Sequence, residues 1–488
     1  MNGWRTRTAA ALGLGLSVSL AGCALGPSGR PPAMPEPAHY AAGMPRDGAA
    51  PAGGPELVAA RAPEAFWWTA FGAPELDALV AEARAANTDL AAARGRLEAA
   101  REVLRAQTGA TEMPSVDLGA QAARQRALGL PLELPPPLPE LPRTSVYDTF
   151  VGQAQVRYTF DLFGSIRERN RALADRVEQR EAQWRAAREA LAANVVSGAL
   201  TLSALQARLR ILESVADGLR RDEAESARRQ ALGAAPRAAV LDARRQAEAV
   251  AAQIPGLRAQ ALAIRHALAV LLGRTPDRAP EAIPFERLVL PARIPVLVPS
   301  ALLAARPDVQ AAAAALRAAA HDAGAASADL FPSLTLTAAM GRGGYDWPAA
   351  LSPEGALWSL AGGLTAPLFH GGALRAQRRA TLRAHAAAED DYRSTVLAAF
   401  REVADALASL EQAGAAQAAG DAAAGAARGV AADAARRADL GAVPPSAARA
   451  AGRQAELAEL DALEIRAQRL LDAARLFHAM GTAEPGGA

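Results

Sequence analysis

The residues of this sequence that could carry chemistry are few and widely spaced. Six histidines lie at positions 39, 266, 321, 370, 385 and 478, and none belongs to the HExxH motif of zinc hydrolases. Residues 370–372, His-Gly-Gly, have the composition of an oxyanion loop, but no GxSxG motif accompanies them. Residues 341–344, Gly-Arg-Gly-Gly, lack the lysine and the hydroxyl residue of a phosphate-binding loop. We therefore expect no catalytic residue, no metal site and no enzymatic activity.

Cys23 is the only cysteine and has the most specific chemical interpretation. It follows two arginines and an apolar stretch, residues 9–20, that is too short to span a membrane. The segment Leu-Ala-Gly-Cys that ends at Cys23 resembles the lipobox of bacterial lipoproteins. The resemblance implies removal of residues 1–22 and attachment of a diacylglycerol and an N-acyl group to Cys23, with no other cofactor; Ala24 after it implies export to the outer membrane. An ordinary signal peptide that leaves an unmodified cysteine is the alternative.

The composition argues against a nucleic-acid-binding protein. Lysine and arginine number 53 against 51 aspartate and glutamate, and the charges are interleaved rather than grouped. Aromatic residues are only 4% of the chain, so stacking surfaces for bases are scarce. Residues 23–60 are rich in proline, glycine and alanine, which predicts a flexible tether.

Two long helices are the elements around which the chain is organised. The first is predicted from Arg167 to Ala231 and the second from Arg375 to Asp439, a repeat displaced by 208 residues. No proline interrupts either stretch, and at 1.5 Å per residue each helix would be about 100 Å long. In the first copy apolar residues recur in two rows with a seven-residue period, typical of coiled-coil packing. These rows are Val177, Trp184, Leu191, Leu205, Leu212 and Leu219, with Gly198 in the one missing place, and Val195, Leu202 and Leu209.

Ahead of each long helix, apolar and polar residues alternate as they do in transmembrane β-strands. The alternation predicts two hairpins, residues 111–161 and 333–367, with loops at 130–142 and 341–355. A surface hairpin of a soluble protein is the alternative for a single segment, but the duplication favours membrane strands. Four strands cannot close a barrel, and an open edge is not tolerated in lipid, so several chains must contribute. The predicted lipid-facing residues are Val116, Leu118, Ala120, Ala122, Ala154, Val156, Tyr158, Phe160, Leu334, Leu336, Ala338, Met340, Trp358, Leu360, Leu364 and Ala366.

Each long helix ends in a turn of the same sequence type. Glycine ends a helix and proline restarts one, so each turn begins an antiparallel helix, predicted at residues 237–273 and 445–481. At the start of the ordered region, Pro74 begins one helix, and Asn87 or Thr88 caps the next. The turn residues are Leu232, Gly233, Pro236, Leu440, Gly441 and Pro444. The predicted segments are a signal peptide (1–22), a tether (23–60), equatorial and first-repeat helices (61–110), the first hairpin (111–161), the first long helical pair (162–273), a linker (274–305), a helix (306–332), the second hairpin (333–367), the second long helical pair (368–482) and a tail (483–488).

Several motifs, in this order and in duplicate, resemble the TolC-like outer membrane factors, and in particular their lipoprotein branch of the nodulation protein T type. The resemblance covers roughly residues 62–483. The matching segments are residues 71–76, 87–90, 161–164, 240–244, 306–309, 330–333 and 367–372. Each motif is weak alone, and their combination with the lipobox is specific.

The resemblance implies a mainly α protein with a transmembrane β-barrel, built as a homotrimer. Twelve strands would form a barrel in outer-membrane lipid, on a long periplasmic α-barrel. The implied function is passive conduction of solutes delivered by a periplasmic adaptor and an inner-membrane pump of the resistance-nodulation-division class. The helix-pair turns would close the duct at its periplasmic tip and face the adaptor. Asp439, which replaces Ala231 of the first copy, would then either form an acidic ring at the aperture or be a solvated surface charge.

The main alternative is a periplasmic adaptor lipoprotein, which also carries a helical hairpin. Adaptors have a single hairpin between small β-domains and lack duplicated membrane strands, so the duplication favours the channel. A cytoplasmic coiled-coil scaffold is a third possibility, which the signal segment disfavours.

Overall fold

The structure is a computed structural model that describes residues 26–35, 40, 55–59, 66–128, 144–297 and 299–481. Cys23, the signal segment, most of the predicted tether and the tail from residue 483 lie outside the described residues. The chain divides into two compact units. The first contains residues 98–178 and 313–390 with 26–31, and the second contains residues 32–97, 179–312 and 391–488, as far as they are described.

Ten helices and six strands make up the described part of the chain, together with four short 3-10 segments. The helices are α1 (Pro74–Ala86), α2 (Thr88–Glu112), α3 (Ser165–Ala231), α4 (Arg237–Ala251), α5 (Gln253–Leu271), α6 (Pro299–Ala305), α7 (Pro307–Ala328), α8 (Trp347–Leu351), α9 (Ala373–Asp439) and α10 (Pro445–Met480). The strands are β1 (Glu56–Ala59), β2 (Ser115–Leu128), β3 (Thr144–Phe160), β4 (Arg293–Val296), β5 (Ser333–Gly344) and β6 (Ala356–Thr365). The long helices α3 and α9 each have 67 residues and differ from their predicted starts by two residues.

The first unit is built on a four-stranded antiparallel sheet in the order β2-β3-β5-β6. Its central pair, β3 and β5, joins the two repeats, with Tyr158 opposite Leu336 and Val156 opposite Ala338. Strands β2 and β6 are the edges, and neither has a partner on its outer side among the described residues. The predicted loop at residues 341–355 is wrong at its start, because β5 continues to Gly344. A Cβ atom at Gly341 would lie 2.2 Å from the Gly152 carbonyl oxygen, so glycine allows this close strand pairing to continue.

Residues 26–31 of the first unit correct the predicted tether in part. A Cβ atom on Gly26 would lie 2.7 Å from the Gly324 Cα, and one on Gly29 would lie 3.2 Å from the Arg317 Cα. Backbone therefore packs directly against helix α7 at these two glycines.

The core of the second unit follows the predicted heptad rows. Leu202 and Leu205 pack against Leu268 of the returning helix, and Leu212 packs near Ile254. Gly198 occupies the missing place in the row because a Cβ atom there would lie 2.8 Å from Leu268 Cδ2. Within the described residues, α3 alone has a stretch long and apolar enough to span a membrane, and 61% of that stretch is buried, as expected for a core helix.

The first returning helix is not continuous as predicted, because it breaks at Ala252 between α4 and α5. Pro255 lacks the amide hydrogen that would continue the helical ladder. In the second copy Leu463 takes that place, and α10 runs unbroken from Pro445 to Met480.

Candidate functional site

The exposed apolar face of the sheet is the largest candidate site. The strand register places the predicted apolar residues of all four strands on one face: Leu118 lies opposite Ala154, Ala154 opposite Met340, and Met340 opposite Trp358. Leu118, Met340 and Trp358 are largely exposed. The other face carries polar residues at matching heights, such as Thr159 and Thr335, whose hydroxyl oxygens are 3.3 Å apart. One apolar and one polar face is the arrangement of a membrane barrel wall.

A cavity of about 630 Å³ lies where the strands meet the long helices in the first unit. Asp161 caps α3 by accepting hydrogen bonds from the amides of Ile166 at 3.2 Å and Arg167 at 2.8 Å. On the cavity wall, Asp329 accepts hydrogen bonds from Ser165 and Arg169, both at 2.5 Å. The carboxylates of Asp161 and Asp329 on this wall are therefore satisfied within the chain.

The two helix-pair turns have the same backbone geometry. Gly233 and Gly441 have φ angles of 71° and 72°, a left-handed conformation that glycine adopts without steric cost. The amides of Ala234 and Ala442 donate to carbonyls five residues earlier, at 2.7 and 2.8 Å, which is the Schellman pattern. Pro236 and Pro444 then stand at the N-cap positions of the returning helices.

Both turns expose a leucine at their apex. Leu232 is 83% exposed and Leu440 is 84% exposed. Both copies of the turn therefore present an apolar side chain to solvent at the same place.

Asp439 is the last residue of α9 and is exposed. Arg436 is held by Asp433 at 3.4 Å, and Asp439 has no ion pair or hydrogen-bond partner among the described residues. Its carboxylate is therefore free to interact outside the chain.

Sequence reasoning missed an ion-pair network near the turns. Asp222 of α3 accepts a 2.5 Å hydrogen bond from Arg449 of α10, and Arg453 contacts the same carboxylate. Glu225 contacts Arg449 as well. The two acidic residues lie more than 220 positions before the two arginines, so no local pattern points to the pairing. The network ties the first long helix to the second returning helix.

A second missed feature is a charge cluster around the buried Arg306 in the second unit. Arg306 donates to both carboxylate oxygens of Asp308, at 3.0 and 2.6 Å, and to Glu402 at 2.8 Å. Burial alone would raise the pKa of Asp308, but the Arg306 guanidinium outweighs it and lowers the pKa below its usual value. Asp308 also lies in the first turn of α7, where a carboxylate favours the helix dipole.

Among the described residues, no group of three histidine, cysteine, aspartate or glutamate side chains could hold a metal ion. Asn87, rather than Thr88, caps α2, because its Oδ1 accepts from the Leu90 amide at 2.9 Å.

Comparison with known proteins gives a consistent result across the chain. Residues 79–274 and 298–482 match the family model described as outer membrane efflux protein. The pyoverdine export outer membrane protein OpmQ of Pseudomonas putida is 33% identical over 368 residues, which cover 74% of this chain and 76% of that protein. The toluene efflux pump outer membrane protein TtgF of Pseudomonas putida is 31% identical over 405 residues, covering 82% and 81%. Among solved structures, the outer-membrane channel OprN superposes with a TM-score of 0.78 at 25% identity, covering 93% of this chain and 99% of that one.

Proposed function

The chain belongs to the outer membrane efflux protein family and is an outer-membrane channel of tripartite efflux systems, and on that premise we propose how it assembles and what it contacts. The channel is a homotrimer whose twelve strands close one barrel. The observation that carries this proposal is the four-stranded sheet with two open edges and one exposed apolar face. Lipid does not tolerate unpaired edges, and three copies give an even-numbered barrel.

Its partners are a periplasmic adaptor and an inner-membrane pump of the resistance-nodulation-division class. The turns at Gly233 and Gly441 face the adaptor from the periplasmic tip. Two observations support this: each long helix has 67 residues, about 100 Å of reach, and each turn exposes an apical leucine. Asp439 of each of the three copies lines the aperture, and its carboxylate has no ion pair or hydrogen-bond partner among the described residues of its own chain.

Cys23 carries the diacylglycerol and the N-acyl group and anchors the mature chain to the inner leaflet of the outer membrane. The support is the lipobox that ends at this single cysteine. The membrane strands bury far more apolar surface than one lipid group, so the acyl chains assist anchoring rather than replace it.

Conduction is passive and the pump selects the solute. The printed names of the relatives include pyoverdine, toluene and fusaric acid, which differ widely in size and polarity. A duct with a polar inner wall fits that diversity, since water-filled walls need not bind their cargo. The relatives are channel proteins, which agrees with the expected lack of enzymatic activity, and the adaptor alternative is wrong for this chain.

The test is reconstitution of the purified chain from the outer membrane into planar lipid bilayers. We expect a trimer that conducts ions without an ATP supply or a proton gradient, and loss of solute resistance in cells when the chain is deleted. A monomeric protein would overturn the trimer, and a trimer that conducts no ions in its open form would overturn the passive duct.

A further inference from the structure

Within one chain, the contacts between the two repeats in the first unit include a strand pairing, a stack of two rings and an ion pair. Strand β3 pairs with β5, with Tyr158 opposite Leu336. The rings of Phe163 and Phe331 stack, with centroids 4.9 Å apart and planes within 19°. Helix α7 contacts α3 through an ion pair in which Arg317 Nε is 2.9 Å from Asp175 Oδ1.

The duplication supplies a second set of the same surfaces that the chain itself leaves uncovered. The outer edges of β6 and β2 correspond to the paired edges of β3 and β5. Phe369 corresponds to Phe163, and Met113 corresponds to Phe331, because each pair occupies the same place in its strand–helix junction. Phe369 is 87% exposed and Met113 is 67% exposed, so the two residues that correspond to the stacked rings both face solvent.

The ion pair recurs in this second set with its charges reversed. Helices α2 and α7 are the leading helices of the two repeats, and buried residues fix their alignment. Leu90 corresponds to Val309 and Leu97 to Leu316, both displaced by 219 positions. The residue that corresponds to Arg317 is therefore Glu98.

On the long helices the displacement is 208 residues. Gly164 and Gly372, which precede α3 and α9, have φ angles of 84° and 83° and fix that alignment. The residue that corresponds to Asp175 is therefore Arg383. Arg383 is exposed, and it has no ion pair or hydrogen-bond partner among the described residues of its own chain.

We infer that a second copy of this chain closes this surface, with Glu98 of one copy paired to Arg383 of the next. This inference rests on the proposed homotrimer and names the contacts that hold it. At the strand–helix junctions the displacements are 206 positions for Phe163 and Phe369 and 218 positions for Met113 and Phe331. Applied to the pairing of Tyr158 with Leu336, they place Leu364 of β6 opposite Leu118 of the neighbouring copy's β2. They also place Phe369 against Met113, a favourable contact between a sulfur and an aromatic ring.

The reversal of charge also determines which surfaces can meet. If α2 of a second copy occupied the place of α7 against α3, Glu98 would face Asp175. If α7 of one copy occupied the place of α2 against the α9 of another, Arg317 would face Arg383. Like charges at these positions disfavour both wrong arrangements, while each correct contact brings opposite charges together. The duplicated surfaces are therefore alike in shape and distinct in charge. As a result, first and second repeats alternate around the axis of the trimer.

A charge exchange tests the pairing in the full-length chain purified from the outer membrane. Glu98→Arg and Arg383→Glu, made singly, are expected to lower the temperature at which the trimer dissociates in dodecyl sulfate. The double variant, which restores opposite charges, is expected to return that temperature to the wild-type value. Arg96→Glu is the matched control, because residue 96 lies about 200° around α2 from Glu98 and carries the same charge change as Arg383→Glu.

A crosslinking experiment covers the case in which a charge variant fails to fold. With Glu98→Cys and Arg383→Cys together, a short bismaleimide is expected to produce a covalent ladder up to the trimer, whereas Arg96→Cys with Arg383→Cys yields none. Single variants that match Arg96→Glu, a double variant without rescue, or equal crosslinking in the two cysteine pairs would each overturn the inference. A wild-type chain that never forms a trimer would instead overturn the proposed homotrimer.

Discussion

Asn87 and Arg306 make equivalent contacts in the two halves of the second unit. The Asn87 side-chain amide donates to the Leu271 carbonyl at 3.1 Å, and the Arg306 guanidinium donates to the Ala479 carbonyl at 3.0 Å. The two carbonyls are 208 positions apart, the displacement of the long helices. The C-terminal end of each returning helix is thus held by the polar residue that immediately precedes α2 or α7.

A glycine with a left-handed backbone stands two residues after each of these carbonyls, and the first of them, Gly273, is the first target for mutation. Gly273 has a φ of 67°, and a Cβ atom there would lie 2.5 Å from the Ala86 carbonyl oxygen. We expect Gly273→Ala to lower the free energy of unfolding by at least about 1–2 kcal/mol, the cost of a left-handed conformation for an L-residue, plus the clash. Chemical denaturation in detergent measures this. Gly256→Ala is the control, because it has open space inside helix α5 and is expected to be neutral or stabilising by up to about 1 kcal/mol. Equal effects of the two variants would contradict the strained turn.

His478 of α10, whose side chain is partly exposed, predicts a pH dependence of stability. Desolvation by the chain packed around the ring lowers the pKa of His478 below its usual 6.5, and the nearby Arg306 guanidinium lowers it further. The folded state therefore favours the neutral ring, and the unfolded state binds the proton more readily. Stability is fully present above pH 6.5 and is lost as the pH falls through 6.5 towards the lower folded-state value.

Thermal unfolding between pH 7.5 and 5 checks this expectation. His478→Gln should flatten the acid side of the profile, and His266→Gln, the same change in the first helical pair, is the matched control. A slope that persists in His478→Gln would assign it to other groups. The pKa of Asp308 is depressed below the usual carboxyl value. The stability that its ionised form contributes is therefore lost only at a pH below the range of 7.5 to 5.

The strand register gives a prediction for the membrane face. Leu336 lies on the apolar face opposite Tyr158, and its neighbour Thr335 lies on the polar face. Leu336→Arg is expected to cost about 2–4 kcal/mol near the bilayer midplane, and Thr335→Arg much less. The yield of folded trimer in the outer-membrane fraction measures the difference. Similar losses in both variants would contradict the assignment of the two faces.

The sequence alone predicted the repeated features well because each rests on a local pattern. The heptad rows placed α3 within two residues of its start, and alternation placed Leu118 and Leu336 on the correct face. The glycine turns at Gly233 and Gly441 were also predictable, since a left-handed residue at a helix end has a clear residue preference.

The features that sequence reasoning missed depend on contacts between distant segments. The break at Ala252 follows from Pro255, which the prediction of one continuous helix over residues 237–273 did not take into account. The pairing of Asp222 with Arg449 and the burial of Arg306 carry no local signal, because charged residues in helices are usually solvated. The continuation of β5 to Gly344 depends on the close approach of Gly152, which alternation cannot show.

Acylation of Cys23 is a separate prediction from the lipobox. Cys23→Ser is expected to lose incorporation of radiolabelled palmitate, because serine lacks the thiol that receives the diacylglycerol. Assembly of the barrel is expected to survive, since many strands bury more apolar surface than one lipid group. Label retained in the serine variant would contradict the assignment.

Asp439 predicts a change in conductance. Three carboxylates near the axis of a closed tip would attract cations and would be held together by bridging ions or by arginines. Asp439→Ala, which restores the residue of the first copy at Ala231, is expected to leave the trimer intact and to raise its conductance in a planar bilayer. Ala231→Asp is the complementary variant and adds three further carboxylates at the equivalent turn. It is expected to shift the selectivity for cations in the direction opposite to the shift caused by Asp439→Ala. If the conductance of Asp439→Ala equals that of the wild type at several salt concentrations, the carboxylate lies on the outer, solvated surface instead. A carboxylate at the aperture would make the two conductances differ most at low ionic strength, where its charge is least screened.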